Sequence, residues 1–230
     1  MRLDSFGRTN EIAGVTGPRP TNRRLLDVAI DHFGRRGLEG ASTRAIARDA
    51  DTPMSSITYH FGGKQGLYLA AADHIAAGIG DMIRPVETAR EAEAVSDADA
   101  ARAVLHGIVA RAADMLNSER TAPFARFIVR EQADPTEAFR GIYEKTMGPM
   151  IDTVSRLIRI VSGNRLDAQQ ARLRTMTIVG QILVFRVARA AALAATGWPA
   201  IGVQETGAIK QVLAENLDAI LDRIAVGNEP

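Results

Sequence analysis

The chain has 230 residues, 46% of them apolar and 24% charged, which suits a globular protein with a substantial core. It contains no cysteine, which excludes disulfides, thiolate catalysis and Cys-based zinc sites. The net charge is only +1, yet residues 1–64 hold ten Lys/Arg against seven Asp/Glu and the remainder eighteen against twenty, a mildly basic head on a mildly acidic body.

Abundant alanine and short β-branched runs predict an all-α fold. Residues 1–20 mix Gly, Pro, Thr, Asn and charges without periodicity, as a disordered arm does. Its Arg2, Arg8 and Arg19 suit either a minor-groove contact or a passive tail. From residue 21 to 36 the stripe of Leu26, Ala29, Ile30 and Phe33 predicts a helix, with Gly37 as its stop and Leu38 turned back onto the core. His32 stands alone, at the surface or the core rim.

The next stretch carries the most information. Ser42 suits an N-cap, and Ile46, Ala47 and Ala50 share one helical face. Asp51 tolerates the left-handed backbone of a sharp turn. Thr52 is expected to cap a second helix, with Pro53 at its first position and Ile57 and Phe61 on its apolar face. The opposite face, Met54, Ser55, Ser56, Thr58 and Tyr59, is short or hydroxyl-bearing where a solvated face usually carries Glu and Lys. Such a helix fits a DNA major groove. Tyr59, His60 and Lys64 lie at its far end, placed for phosphates, and Lys64 opens a first turn with free backbone N–H groups. Two short helices of this kind also fit an ordinary bundle.

A fourth helix is expected from Lys64 to about Ile83, stopped by Pro85. Asp97 and Asp99 open the next, which runs to about Ser118, and Pro123 starts a short one. Asp134 and Pro135 read as N-cap and first position of a long helix to about Ser162, ended by Gly163 and Asn164. Another long helix is expected from Asp167 to about Thr196, with a stop at Gly197-Trp198-Pro199, and a last one from Gln204 to Val226. The most apolar stretch, residues 177–196, is interrupted by Gln181, Arg186 and Arg189 and makes a poor membrane span. With no signal-like apolar run at the start, a cytoplasmic location is expected.

The run from Ala50 through Ile57-Thr58-Tyr59-His60-Phe61 to Lys64 and Leu67 resembles the signature of the TetR family of transcriptional regulators. Three positions depart from it: Asp51 for the usual Gly, Pro53 for Ser or Asn, and Thr58 for the first of two aromatics. The first two keep the turn and cap. The third changes the groove-facing surface, so base preference does not carry over. Residues 127–136 and Thr196-Gly197-Trp198-Pro199-Ala200 resemble the C-terminal domain of the CecR subgroup. The resemblance implies a helix-turn-helix head at 21–66 and a ligand-binding and dimerisation body at 67–230, joined by the fourth helix, whose tilt sets head spacing. It also implies that Thr43 and Arg44 lie near the bases, with Arg44 reaching one. A repressor or dual regulator of export genes, responsive to a small and often antibiotic-like molecule, follows from the subgroup.

Candidate effector contacts are Met115, Phe124, Phe127, Arg130, Glu131, Tyr143, Met147, Met150, Gln181 and Phe185. Methionines and aromatics make adaptable apolar walls and a few polar groups orient a ligand. The same residues at helical spacing also make plain core, and Arg130 with Glu131 a surface pair. Dimerisation is expected through the last two helices, because the run 188–195 is mostly Ala and Val212, Leu213, Leu217, Ile220, Leu221 and Ile224 cover more than one helix face. The four histidines have no metal-gathering spacing, and no Gly-x-Ser-x-Gly or phosphate loop is present. The expected partners are therefore a DNA operator, a small-molecule effector and a second copy, with no cofactor and no membrane. The alternative is a helical small-molecule-binding protein or enzyme with a non-functional DNA head.

Overall fold

The computed structural model describes residues 20–83 and 94–226, and among these there are helices and turns but no strand. The chain opens with α1 (Pro20–Gly40), α2 (Thr43–Asp49), α3 (Met54–Phe61) and α4 (Lys64–Ile83). The body continues with α5 (Ala98–Asn117), a 3-10 turn (Glu119–Thr121), α6 (Ala122–Ala133) and α7 (Glu137–Ile142). It closes with α8 (Gly148–Val161), α9 (Ala168–Val187), α10 (Arg189–Thr196) and α11 (Val203–Val226). The expected arm, with Arg2, Arg8 and Arg19, and the stop at Pro85 lie outside the described residues.

Local signals set many of the ends. Ser42 and Asp97 accept from the N–H three residues on, and Asp167 with Gln170 forms a capping box. Gly37 takes φ 72° and breaks the regular helix there, and Leu38 packs back on the core, as expected.

Four expectations need correction. Pro53 is the N-cap of α3, not its first residue: its ψ of 139° is extended, and the Thr52 hydroxyl makes no hydrogen bond to the helix. Asp134 and Pro135 do not open α7. Thr136 caps it, because the Glu131 side chain accepts from Thr136 N, Thr136 Oγ1 and Phe139 N and so fixes where the first turn starts. The long helix expected to Ser162 is split by a π turn at Tyr143–Met147. Pro149 has no N–H for the residue four back and its ring crowds that carbonyl, and the N–H of Gly148 instead reaches five back to Tyr143 O. The helix expected from Asp167 to Thr196 turns by 82° at Ala188. At this corner Arg186 donates to Ser118 O and Arg189 to Glu119 Oε1.

Two hydrophobic cores organise the molecule. The first holds Phe33, Ile46, Ile57, Tyr68 and Ile75 of α1–α4 together with Phe127, Ala138 and Ile142 of α6 and α7. The second lies among α5, α8, α9 and α11, around Leu105, Leu157, Ile178, Leu217 and Leu221. Among the described residues the most extensive helix pair is α1 against α6, so the first three helices are braced by the body as well as by α4. No single helix among the described residues is long and apolar enough to cross a membrane.

Candidate nucleic-acid interface and effector groove

The turn between α2 and α3 is built by Asp51 at φ 54°, with Asp51 N donating to Arg48 O and Thr52 N to Ala47 O. Ile46 and Ala47 of α2 and Ile57 of α3 are buried, which fixes the rotation of both helices. His32 joins this frame. Arg36 donates to its Nδ1 (3.0 Å), which leaves Nε2 to donate to Asp49 Oδ2 (2.9 Å), so α1 holds the end of α2. His32 is thus a buried strut at the core rim.

With Ile57 inward, α3 turns Met54, Ser55, Thr58, Tyr59 and His60 outward, all exposed, with Ser56 half-buried beside them. Tyr59 is 85% exposed. Among the described residues, none of the polar side chains on this face makes a hydrogen bond within the chain, so all their donors and acceptors are open. The Tyr59 and His60 rings meet edge to face at 4.9 Å. Thr43 and Arg44 stand at the start of α2, where Arg44 is exposed and has no partner among the described residues. Lys64 is different. Its ammonium donates to Glu39 O (2.8 Å), tying the first turn of α4 to the end of α1 beyond the Gly37 break, with two donors left.

Gly66 sets the angle between α3 and α4, and no local sequence pattern marks it. A Cβ there would lie 1.7 Å from Phe61 O, so no side chain fits while the end of α3 rests on α4.

Five of the ten effector candidates gather at the first core and the other five lie elsewhere. Phe127 is fully buried in the first core, with Met115, Phe124, Met147 and Met150 packed around that core. Phe185 packs on the second core, Gln181 accepts from Asn216 of α11 (3.1 Å), and Tyr143 is 43% exposed. Arg130 and Glu131 are not a surface pair. Arg130 donates to Arg35 O (3.3 Å), whereas Glu131 is 1% exposed and accepts from Tyr68 Oη (2.5 Å), Thr136 and Phe139. Burial and this contact with Glu131 push the Tyr68 hydroxyl far above its ordinary value.

Arg130 and Glu131 also border an open groove of about 950 Å³ between the end of α1, α6 and the α9–α10 corner. Arg36, Arg126, Arg186 and Arg189 complete its basic lining. Sequence periodicity gave no sign of it, because its walls come from segments far apart in the chain.

A braced helix-turn-helix with an open second helix, carried on a larger helical body, defines the class of helix-turn-helix transcriptional regulators. Residues 25–71 match the family model for bacterial regulatory proteins of the TetR family, and residues 101–224 that for the C-terminal domain of the HTH-type transcriptional dual regulator CecR. The chain belongs to the TetR family and carries a CecR-type C-terminal domain. It is 34% identical over 208 residues to the dual regulator CecR of Shigella flexneri, covering 88% of this chain and 92% of that one. It is 26% identical over 157 residues to the regulatory protein RaaS of Mycobacterium tuberculosis, covering 68% and 66%. Solved structures share the fold. The complex of AibR with isovaleryl coenzyme A and operator DNA has a TM-score of 0.64 at 12% identity, covering 85% of this chain and 97% of that one. FadR of Bacillus subtilis with stearoyl-CoA has a TM-score of 0.59 at 14% identity, covering 85% and 96%.

Proposed function

We propose that this TetR-family regulator acts as a homodimeric, effector-released repressor that reads a palindromic operator. The observation that carries the reading is the α3 surface. Met54, Ser55, Ser56, Thr58, Tyr59 and His60 stand outward on a helix pinned by Ile57, with their polar groups uncommitted. We assign base contacts to Met54–Thr58 together with Thr43 and Arg44, and phosphate contacts to Tyr59, His60 and Lys64. Residues 21–66 read DNA, and residues 67–230 sense the effector and dimerise.

A second surface supports the dimer. Leu173, Met176 and Val184 are exposed along one side of α9, and Val212 on α11 is 52% exposed. Spacings of three and eight residues keep these α9 side chains on one helical face, an apolar stripe that the described residues leave uncovered. A twofold copy covers it and presents two α3 helices to successive major grooves. Leu213, Leu217, Leu221 and Ile224 serve the chain's own second core instead.

We take the protein to be a cytoplasmic DNA-binding protein without catalysis, with export genes as the regulated set implied by the CecR resemblance. The test is selection of bound fragments from sheared genomic DNA at near-physiological salt. A recovered palindrome with half-sites about one helical turn apart supports the reading. Recovery of random DNA alone, lost on modest salt addition, sinks it.

A further inference from the structure

We propose that the groove between α1, α6 and the α9–α10 corner binds a small organic anion, a carboxylate or phosphate head on an apolar tail, in competition with Asp31 for Arg126. The inference deepens the effector half of the reading above, and its regulatory consequence rests on that reading.

The head of the ligand is set by charge. Arg126, Arg186 and Arg189 all line the groove, and the charged groups that act on Arg186 are Glu119, Arg189 and Arg126. Glu119 is taken by Arg189 at 2.8 Å and Asp31 by Arg126 at 2.7 Å, which leaves Arg186 without a carboxylate of its own among the described residues; Glu39 and Asp134 also line the groove but are not among the charges acting on Arg186. Arg186 Nε and Arg189 Nη1 are buried with no acceptor among the described residues. Burial pulls the Arg186 guanidinium below its ordinary value; Glu119 opposes this, whereas Arg189 and Arg126 push the same way. Buried donors without acceptors and crowded like charges are both costly, and an anion relieves both. Glu131 is not available to do so, because both its oxygens are occupied by Tyr68, Thr136 and Phe139. Planar forked guanidinium groups match carboxylate and phosphate oxygens in pairs.

The tail is set by the wall. Ala122, Ala125, Val129 and Val187 line the same groove, with Val129 at 42% and Val187 at 58% exposure. The volume of about 950 Å³ accommodates a medium-sized ligand.

The coupling comes from Arg126. Its Nη2 donates to Asp31 Oδ1 at 2.7 Å and so links α6 to α1, the helix that braces the reading head. An anion that draws Arg126 to itself removes this link, while Asp31 keeps Arg35 at 2.8 Å. The head then loses one of its ties to the body only when the groove is filled.

The experiment is titration calorimetry of the full chain, at fixed ionic strength, with octyl phosphate, octanoate and octanol. Saturable binding of at least one anion, tenfold or more tighter than octanol, is expected, and the tighter of the two anions identifies the head group. R186Q/R189Q is expected to lose tenfold or more. Because Arg186 also holds Ser118 O, a second variant, Val129→Glu, places a carboxylate on an exposed part of the wall and is expected to lose binding as well. Asp31→Asn removes the competitor and is expected to tighten the anion severalfold. Octanol binding as well as the anions, no saturable anion binding, or unchanged binding in both groove variants overturns the proposal. No DNA is present in this measurement, so its failure leaves the operator reading standing, and failure of operator selection leaves this site standing.

Discussion

Tyr68 of α4 and Glu131 of α6, 63 positions apart in the chain, share a buried hydrogen bond of 2.5 Å. Tyr68 also meets Phe33 edge to face at 4.8 Å and lies against Phe127 at 4.8 Å. One phenol thus joins the helix under the reading head, the first helix and the body. Tyr68→Phe keeps the ring packing but leaves a buried carboxylate oxygen short of a donor, which costs about 1–3 kcal/mol. The measurement is urea unfolding of both proteins at pH 7. A pH signature accompanies it. The native hydroxyl is held above its ordinary value of 10.0, so its contribution is intact below pH 10 and is lost as pH rises beyond that toward the folded value. The native protein should lose stability above pH 10 more steeply than Tyr68→Phe; parallel curves would contradict this.

Asp31 gives the acid counterpart. Burial alone would raise it, but hydrogen bonds from Arg35 and Arg126 outweigh that and hold it below the ordinary 3.8. A depressed carboxylate contributes stability above its unfolded value, and that contribution fades as pH falls through the folded one. Asp31→Asn should therefore be less stable than the native chain at pH 7, with the gap closing below pH 3.8. Denaturant midpoints at pH 7, 5 and 3 decide it, and a gap unchanged at pH 3 rejects the ion-pair account.

Gly66→Ala tests the α3–α4 seat. The added methyl would sit 1.7 Å from Phe61 O, so α3 must move. A cost of about 3 kcal/mol, at the upper end of overpacking penalties, is expected, with operator binding reduced beyond what the stability loss explains. Thermal melting and gel shifts on the folded fraction separate the two effects. An operator affinity equal to the native one would mean that the angle of α3 is set elsewhere.

Arg44→Ala and Lys64→Ala should differ in kind. Arg44 has no partner among the described residues, and its loss should cost about 1–3 kcal/mol on the operator and relax sequence preference. Lys64→Ala should weaken all DNA alike and lower the salt slope by about one. Equal losses for Arg44→Ala on operator and random DNA would remove its base-reading role.

On the dimer stripe, Leu173→Glu combined with Met176→Glu should shift the chain to a monomer in sedimentation while leaving its helical content intact. Both side chains are more than half exposed in one chain, so folding of the monomer does not depend on them.

The head was legible because its signals are local. Ser42 as cap, Asp51 in the left-handed turn and Gly37 as stop act within a few residues of themselves, and α2 and α3 followed from them. The π turn left a readable mark too, since Pro149 inside a helix demands a disturbance just upstream. Other features were out of reach. Glu131 looked like half of a surface pair, and only Tyr68, brought in by the fold, makes it a buried anchor. The corner at Ala188 has neither Gly nor Pro, and its fixing contacts, Ser118 and Glu119, lie about 70 positions away. The arginine groove was invisible for the same reason: its charges come from three separate segments.

The shared first core has a consequence for anyone building hybrid regulators. Cutting between Phe61 and Leu67 and grafting the reading head onto a foreign body would leave Phe33 facing half of an aromatic stack, with the Tyr68–Phe127 half left on the discarded side. A chimera that keeps its DNA specificity has to carry α4, α6 and the Thr136 end of α7 along with the head. In this protein the transplantable part is a three-dimensional cluster that reaches Ile142, not a contiguous N-terminal cassette.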